Sequence, residues 1–410
     1  VSNAIVETIL GQISEGVVLG DGARTLPREC YTSPEFFKFE TDHVFARSWI
    51  CVGRVEQISN PGDYLAPSVA GEPLLVVRGQ DNEIRAMSAV CQHRGQVITC
   101  TPGSTPRFRC PLHFWTYDLS GRLLGVPRVD RDELEQYRKR VQLPPVRHEV
   151  WKGFIFVNLD ADASPLAPSL AKLEPCFENY PLDEMGAMPP IPFKDPVQWN
   201  WKVFFENYID AYHTEFVHPD TQHKFAPTVA ADDGVEFTPM TASDNAILRS
   251  VPLVVTDGGM TADGWGAEPA FPVIPSLSKR QRSRIFYVMI PPSMTLIFQP
   301  SMISYALVTA LGPEQTGAAS DRLTPGGWLL PKSTLALPDF AQRATIFREG
   351  AGKLWAQDIP VNLSLQQGKR SRFSPDGIYI PLERTLSQFN LWLLDRYKRT
   401  DGASNGAGVQ

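Results

Sequence analysis

No stretch of this 410-residue chain approaches the roughly 18–20 consecutive apolar residues that carry a helix across a bilayer, which argues against a helical membrane protein. The first residues lack the basic-then-apolar layout of a secretory signal. Basic side chains are not in surplus either: 39 Lys and Arg face 45 Asp and Glu, a net charge of −6. Nucleic acid or an anionic membrane surface would select a basic face, so neither is expected as a partner. Cysteine is sparse. Cys30, Cys51, Cys91, Cys100, Cys110 and Cys176 are scattered along the chain, which excludes a small disulfide-framed module and suits free or metal-binding thiols in a reducing cytoplasm. No strand–GxGxxG–helix unit is present, so the chain is not expected to hold a nicotinamide or flavin itself.

What is present fits a globular chain of about two or three domains, and an apolar fraction of 43% supplies a sizeable core. Ser33-Pro34-Glu35 reads as a helix start: a cap, a proline in the first turn and an acid at the positive dipole end. From Trp49 to about Asp160 the texture turns to β. "EPLLVVRG", "EIRAMSAVC" and "GFIFVNL" are short β-branched runs bounded by turn residues. A proline-rich crossing follows, then a helix over residues 204–213. "SRIFYVMI", "MTLIFQP", "SYALVTAL" and "WLLP" read as antiparallel strands, with a hairpin tip at 312–320. Two helices close the chain, over about 338–368 and in "LSQFNLWLLDRY". The small, polar tail 402–410 is expected to be disordered.

Two Cys/His pairs stand out, Cys91-Gln92-His93 and Cys110-Pro111-Leu112-His113, with residues 94–109 between them. Each follows a predicted strand, so two opposed loops converge on one object. Two thiolates on one iron and two imidazoles on the other make a Rieske [2Fe–2S] centre. A structural zinc site is the plainer metal reading, but zinc modules mostly pair Cys with Cys and His with His at wider spacing. Buried thiols beside core histidines, with no metal, are a third reading. Gly95 and Gly103 lie beside the pairs, where backbone has to approach the cluster closely.

The second constellation is "NWKVFFENYIDAYHTEFVHPD". On a continuous helix Asn207, Asp210 and His213 fall at i, i+3 and i+6 and share a face. His218 is about 140° away from His213 on such a helix, so both reach one metal only if the helix ends or distorts there. Pro219 supplies a reason. Two histidines leave room for one carboxylate, the facial triad of non-haem Fe(II). Alternatively, both are surface or core histidines of an aromatic-rich helix.

"CQHRG" followed by "CPLHFWTYDLSGRL" resembles the signature of the ring-hydroxylating oxygenase α-subunit family, the Rieske non-haem iron oxygenases. "FARSWICVGR" and "WKGFIFVNLD" are similar to the edges of that family's cluster domain, and the second constellation resembles its iron motif with every spacing intact. The resemblance implies an α+β fold: a β-rich Rieske domain over 45–160, inserted between an N-terminal helical segment, 1–44, and a larger catalytic domain, 161–410, whose antiparallel sheet is flanked by helices. It implies Cys91, His93, Cys110 and His113 as cluster ligands, and His213, His218 and Asp358 on the iron. Gln366 and Gly368 fit the spacing after that carboxylate, and Glu349 is the runner-up. Asn207 and Asp210 are implied as catalytic residues that do not bind metal, Asp210 bridging to a neighbouring subunit's cluster in a head-to-tail homotrimer. A reductase, acting directly or through a ferredoxin, is expected to pass on electrons from NAD(P)H, with O2 as co-substrate.

The end of the chain, "GIYIPLERTLSQFNLWLLDRY", looks similar to the betaine-demethylating branch, such as the stachydrine demethylases. A small substrate is therefore expected, a quaternary ammonium betaine that loses a methyl as formaldehyde, held by aromatic faces. Phe204, Phe205, Tyr208, Phe298 and Tyr305 are the candidates for that pocket. Hydroxylation or cis-dihydroxylation of an aromatic compound is the alternative. A non-catalytic Rieske electron carrier would need no second metal and none of the 250 residues after Asp160.

Overall fold

The computed structural model describes residues 2–20, 22–188, 196–226, 234–241, 243–253, 255–256, 259–260, 271–317 and 326–399. The tail 402–410 and the end of the 312–320 loop lie outside them. Where a helix start was expected, Ser33 caps the helix Pro34–Glu40 by accepting the Phe36 N–H at 3.1 Å. This helix, the first helix Ser2–Gly16 and the turn Thr41–Phe45 bury Ile9, Ile13, Phe36 and Val44 against the C-terminal half of the chain.

The first sheet is antiparallel, in the order Ile50–Arg54, Phe154–Asn158, Pro145–Trp151, Ile84–Ser88, Glu72–Arg78, Asp63–Leu65, Gly103–Ser104. A smaller sheet of Phe108–Arg109, Thr116–Tyr117 and Leu123–Gly125 carries the second Cys/His loop. The second large sheet runs Met185–Met188, Gly326–Pro331, Met302–Leu307, Met294–Gln299, Arg284–Ile290, Ile247–Pro252, Glu236–Phe237, also antiparallel.

Side chains alternate across this sheet. Leu248, Phe286, Leu296 and Phe298 face the first sheet and pack with Trp49, Phe154 and Phe156. Ile247, Val251, Ile285, Tyr287 and Met289 face the other way, onto the central helix Trp201–Ile209 and the C-terminal helix Arg384–Lys398. The central helix is clamped by a buried charge pair: Lys202 Nζ lies 2.8 and 3.0 Å from the carboxylate oxygens of Glu40, which also accept from Trp201 and Tyr397. The long helix Phe340–Arg370 crosses beside it. Pro360 lies inside it, with no N–H for the Ala356 carbonyl, two residues past Asp358. Among the described residues no helix is long and apolar enough to cross a membrane.

The central helix is shorter than its expected span of 204–213. It stops at Ile209, and Asp210 leaves the helical region with ψ 129°. Asn207, Asp210 and His213 therefore do not form one helical stripe. The cause is local. The Asp210 carboxylate accepts from Tyr212 N at 2.7 Å and His213 N at 3.2 Å, competing with the helix for backbone. Arg249 and Thr385 bond the carbonyls left over at the helix end.

Candidate cluster and metal sites

The two Cys/His loops have the same backbone. Cys91 N–H bonds Gln96 O at 2.9 Å and Gly95 N–H bonds Cys91 O at 3.1 Å; Cys110 repeats this with Trp115 at 2.9 Å and Phe114 at 3.0 Å. Each loop needs a positive φ four residues after its cysteine: Gly95 at 77° and Phe114 at 61°. The thiols are buried at the base, both within 2% exposure. His93 and His113 stand exposed at the tip, rings 4.8 Å apart, with His93 stacked on Trp115 at 4.7 Å. Burial raises the Cys91 thiol, opposed in part by the Tyr117 hydroxyl 3.2 Å from its sulfur. Two thiols at one end and two imidazoles at the other match the donor set of a Rieske centre.

At the second site the chain brings three donors together. One atom each from His213, His218 and Asp358 lies within 4.8 Å of the other two. His218 Nε2 is 3.0 Å and His213 Nε2 3.9 Å from Asp358 Oδ1. The short turn Thr214–Val217 ends at His218, which leaves the helical region and lets the two rings face one point. Both Nδ1 atoms are turned outward onto acceptors: His213 to Asp210 Oδ2 at 3.0 Å, His218 to Gln357 Oε1 at 2.9 Å. The two Nε2 lone pairs are thereby left for a metal. Asn207 Nδ2 donates to Asp358 Oδ1 at 3.2 Å. Burial alone would lower the His218 imidazole, but Asp358 and Gln357 outweigh it and hold it above its ordinary value. Two imidazoles and one carboxylate on one face fit non-haem Fe(II).

The three donors line a cavity of about 360 Å³, between the sheet, the central helix and the long helix. Phe204, Asn207 and Tyr208 line it because they share one face of the central helix. Phe205 does not; with Trp201 and Ile209 it lies on the adjoining face of the helix, in the core. Phe298 does not either, since its strand position points to the first sheet, where it packs against Phe177 and Tyr180. Tyr305 borders the cavity, yet its ring packs edge-on to Phe154 on that same far side. Glu349 is exposed and off the cavity wall, while Gln366 holds Asn200 N at 3.0 Å and Tyr31 O at 3.2 Å. Trp355, Trp328, Tyr287, Arg249 and Gln357 were not anticipated. The sequence signal for Trp355 and Gln357 was their place within one turn of Asp358.

These observations define a two-site iron protein, and comparison with known proteins agrees. The chain belongs to the family described as Ring hydroxylating alpha subunit (catalytic domain), which it matches over residues 177–399, and residues 48–142 match the Rieske [2Fe-2S] domain. The family's two cofactors are that cluster and a mononuclear iron. The carnitine monooxygenase oxygenase subunit of Acinetobacter baumannii is 32% identical over 217 residues, 52% of this chain and 56% of that protein. The chain thus spans about half the length of the carnitine relatives it matches. Choline monooxygenase of Amaranthus tricolor is 23% identical over 396 residues, 95% of this chain and 81% of the relative. The fold is shared with a quaternary ammonium Rieske monooxygenase, CntA, in complex with gamma-butyrobetaine, at TM-score 0.70 and 21% identity over 95% and 99% of the two chains. It is shared equally with naphthalene 1,2-dioxygenase from Rhodococcus sp., at TM-score 0.70 and 19% identity over 96% and 98%.

Proposed function

We propose that this chain is a terminal oxygenase that mono-oxygenates an N-methyl carbon of a quaternary ammonium compound. It would draw on O2 and on electrons from a separate reductase, directly or through a ferredoxin. The observation that carries the reading is His213, His218 and Asp358 on the wall of a cavity lined by Phe204, Tyr287, Trp328 and Trp355. A quaternary nitrogen accepts no hydrogen bond, so aromatic faces are what can hold it, at about 0.5–2 kcal/mol each. Relatives named for carnitine, choline and glycine betaine support the same substrate class.

His213, His218 and Asp358 would hold the iron, which would supply O2 activation, and Cys91, His93, Cys110 and His113 would hold the cluster, which would supply single electrons. The other residues do the positioning. Asp210 and Gln357 orient the two imidazoles, Asn207 orients the Asp358 carboxylate, and the apolar walls keep bulk water away. Insertion of oxygen turns N–CH3 into N–CH2OH. The C–N bond then breaks, nitrogen keeps the pair, the hydroxyl proton leaves, and formaldehyde departs.

A head-to-tail homotrimer belongs to the same reading. Leu112 and Phe114 are exposed beside the cluster histidines, and Tyr212 and Phe216 beside Asp210 and His213, Phe216 to 64%. Two different apolar patches on one chain suit a heterologous contact that closes into a ring and brings one copy's cluster to the next copy's Asp210. The test of function is oxygen uptake with reductase and NADH against betaines and aromatic acids. Formaldehyde in step with O2 is expected from a betaine. A cis-diol from an aromatic, with no betaine turnover, would overturn the proposal.

A further inference from the structure

Arg249 is the only guanidinium among the described residues lining the cavity, and it is 2% exposed. It stands on the cavity face of its strand, opposite Tyr287 in register, with its guanidinium 4.0 Å above the Tyr287 ring. A guanidinium has five N–H donors. Nε bonds Ile209 O at 2.7 Å and Nη2 bonds Asp210 O at 3.1 Å. Among the described residues, Nη1 has no acceptor and no carboxylate forms an ion pair with Arg249. Asp358 is the one carboxylate among the described residues lining the cavity, and it is tied to His218 and Asn207. Closing a helix end needs only the two bonds to carbonyls, which an uncharged donor could make. The Asp210 carboxylate favours the charged guanidinium only from beyond ion-pair distance, and a buried charge with no carboxylate in contact is costly to keep, so its place in a ligand cavity asks for an anion. Tyr287 adds a second donor. Its oxygen accepts from Gln222 Nε2 at 2.7 Å, which leaves its own O–H without an acceptor among the described residues.

We propose that Arg249 and the Tyr287 hydroxyl anchor a carboxylate on the substrate, so that the site selects a betaine over an alcohol such as choline. This rests on the oxygenase reading above and narrows it. The aromatic walls hold the cationic end and the iron-facing side receives its methyl group. The guanidinium fixes which end points inward.

The test is calorimetric binding of glycine betaine and of choline, which differ only in carboxylate against hydroxymethyl, to the anaerobic, fully iron-loaded enzyme. Charge-assisted hydrogen bonding of this kind gives a preference for the betaine on the order of 10- to 100-fold. Arg249→Gln is expected to bring the ratio close to one, and Tyr287→Phe to reduce it in part. Equal affinities in the unaltered enzyme would overturn the proposal, as would a folded Arg249→Gln protein that keeps the preference. If that variant does not fold, Tyr287→Phe decides, and an unchanged ratio there counts against the anchor. Binding and oxidation of both compounds without preference would remove the anchor and leave the oxygenase reading standing. Binding of neither would remove both.

Discussion

Nδ1 of His218 lies 2.9 Å from the side-chain oxygen of Gln357, the residue directly before Asp358. One turn of the long helix thus supplies a donor to the metal site and the support for a second donor. Gln357 also accepts from Thr221 Oγ1 at 2.7 Å, so its oxygen is held and not free to rotate away.

Gln357→Leu is therefore expected to weaken Fe(II) binding by about 10- to 100-fold, as loss of such outer partners commonly does. Gln357→Glu keeps an acceptor and is expected to retain the iron. Metal titration of the two iron-depleted variants checks this. Equal affinity of Gln357→Leu and the unaltered chain would mean that His218 needs no such support.

Asp210→Asn is expected to keep both metals and lose nearly all turnover. The one amide oxygen can still accept from Tyr212 N, the shorter of the two bonds that shape the turn, but the oxygen facing His213 becomes an NH2 and the charge there is gone. Metal analysis with single-turnover kinetics separates the two effects. Loss of the mononuclear iron in a folded variant would make Asp210 a ligand.

Much of this was legible in the sequence, and the failures have physical causes. The Cys/His spacing singled out two loops that the structure brings together, because each pair is fixed by local backbone. His213, His218 and Asp358 were named, the last only through family resemblance, since nothing local announces a contact across 140 residues. Pocket walls were harder. Phe298 was placed near the iron by strand, but face depends on register parity, and a shift of one residue reverses it. The break at Asp210 was missed because aspartate was read as one more polar position on a stripe, not as a group that captures its own backbone.

Phe298→Ala is accordingly expected to behave as a core truncation, costing about 3–5 kcal/mol of stability, while binding loses no more than that loss of folding explains. Phe204→Ala, on the cavity wall, is expected to weaken betaine binding with a smaller change in melting. Denaturation and substrate titration of the two variants provide the comparison. Matching profiles would contradict the assignment of faces.

Lys202 and Glu40 are both 0% exposed and tie the N-terminal segment to the central helix. Lys202→Met leaves a carboxylate buried without its partner, and is expected to cost about 3–5 kcal/mol. Adding Glu40→Leu is expected to recover a large part of that. Urea denaturation reads both values, and a Lys202→Met protein as stable as the parent would show that the pair contributes little.

The most direct measurement of the central claim is iron per chain, before and after Asp358→Ala. Three irons are expected in the parent, two from the cluster and one at His213, His218 and Asp358, and two in the variant with its Rieske EPR signal intact. Two irons in the fully loaded parent, or three in a folded Asp358→Ala protein, would contradict the second iron site on which the oxygenase reading depends.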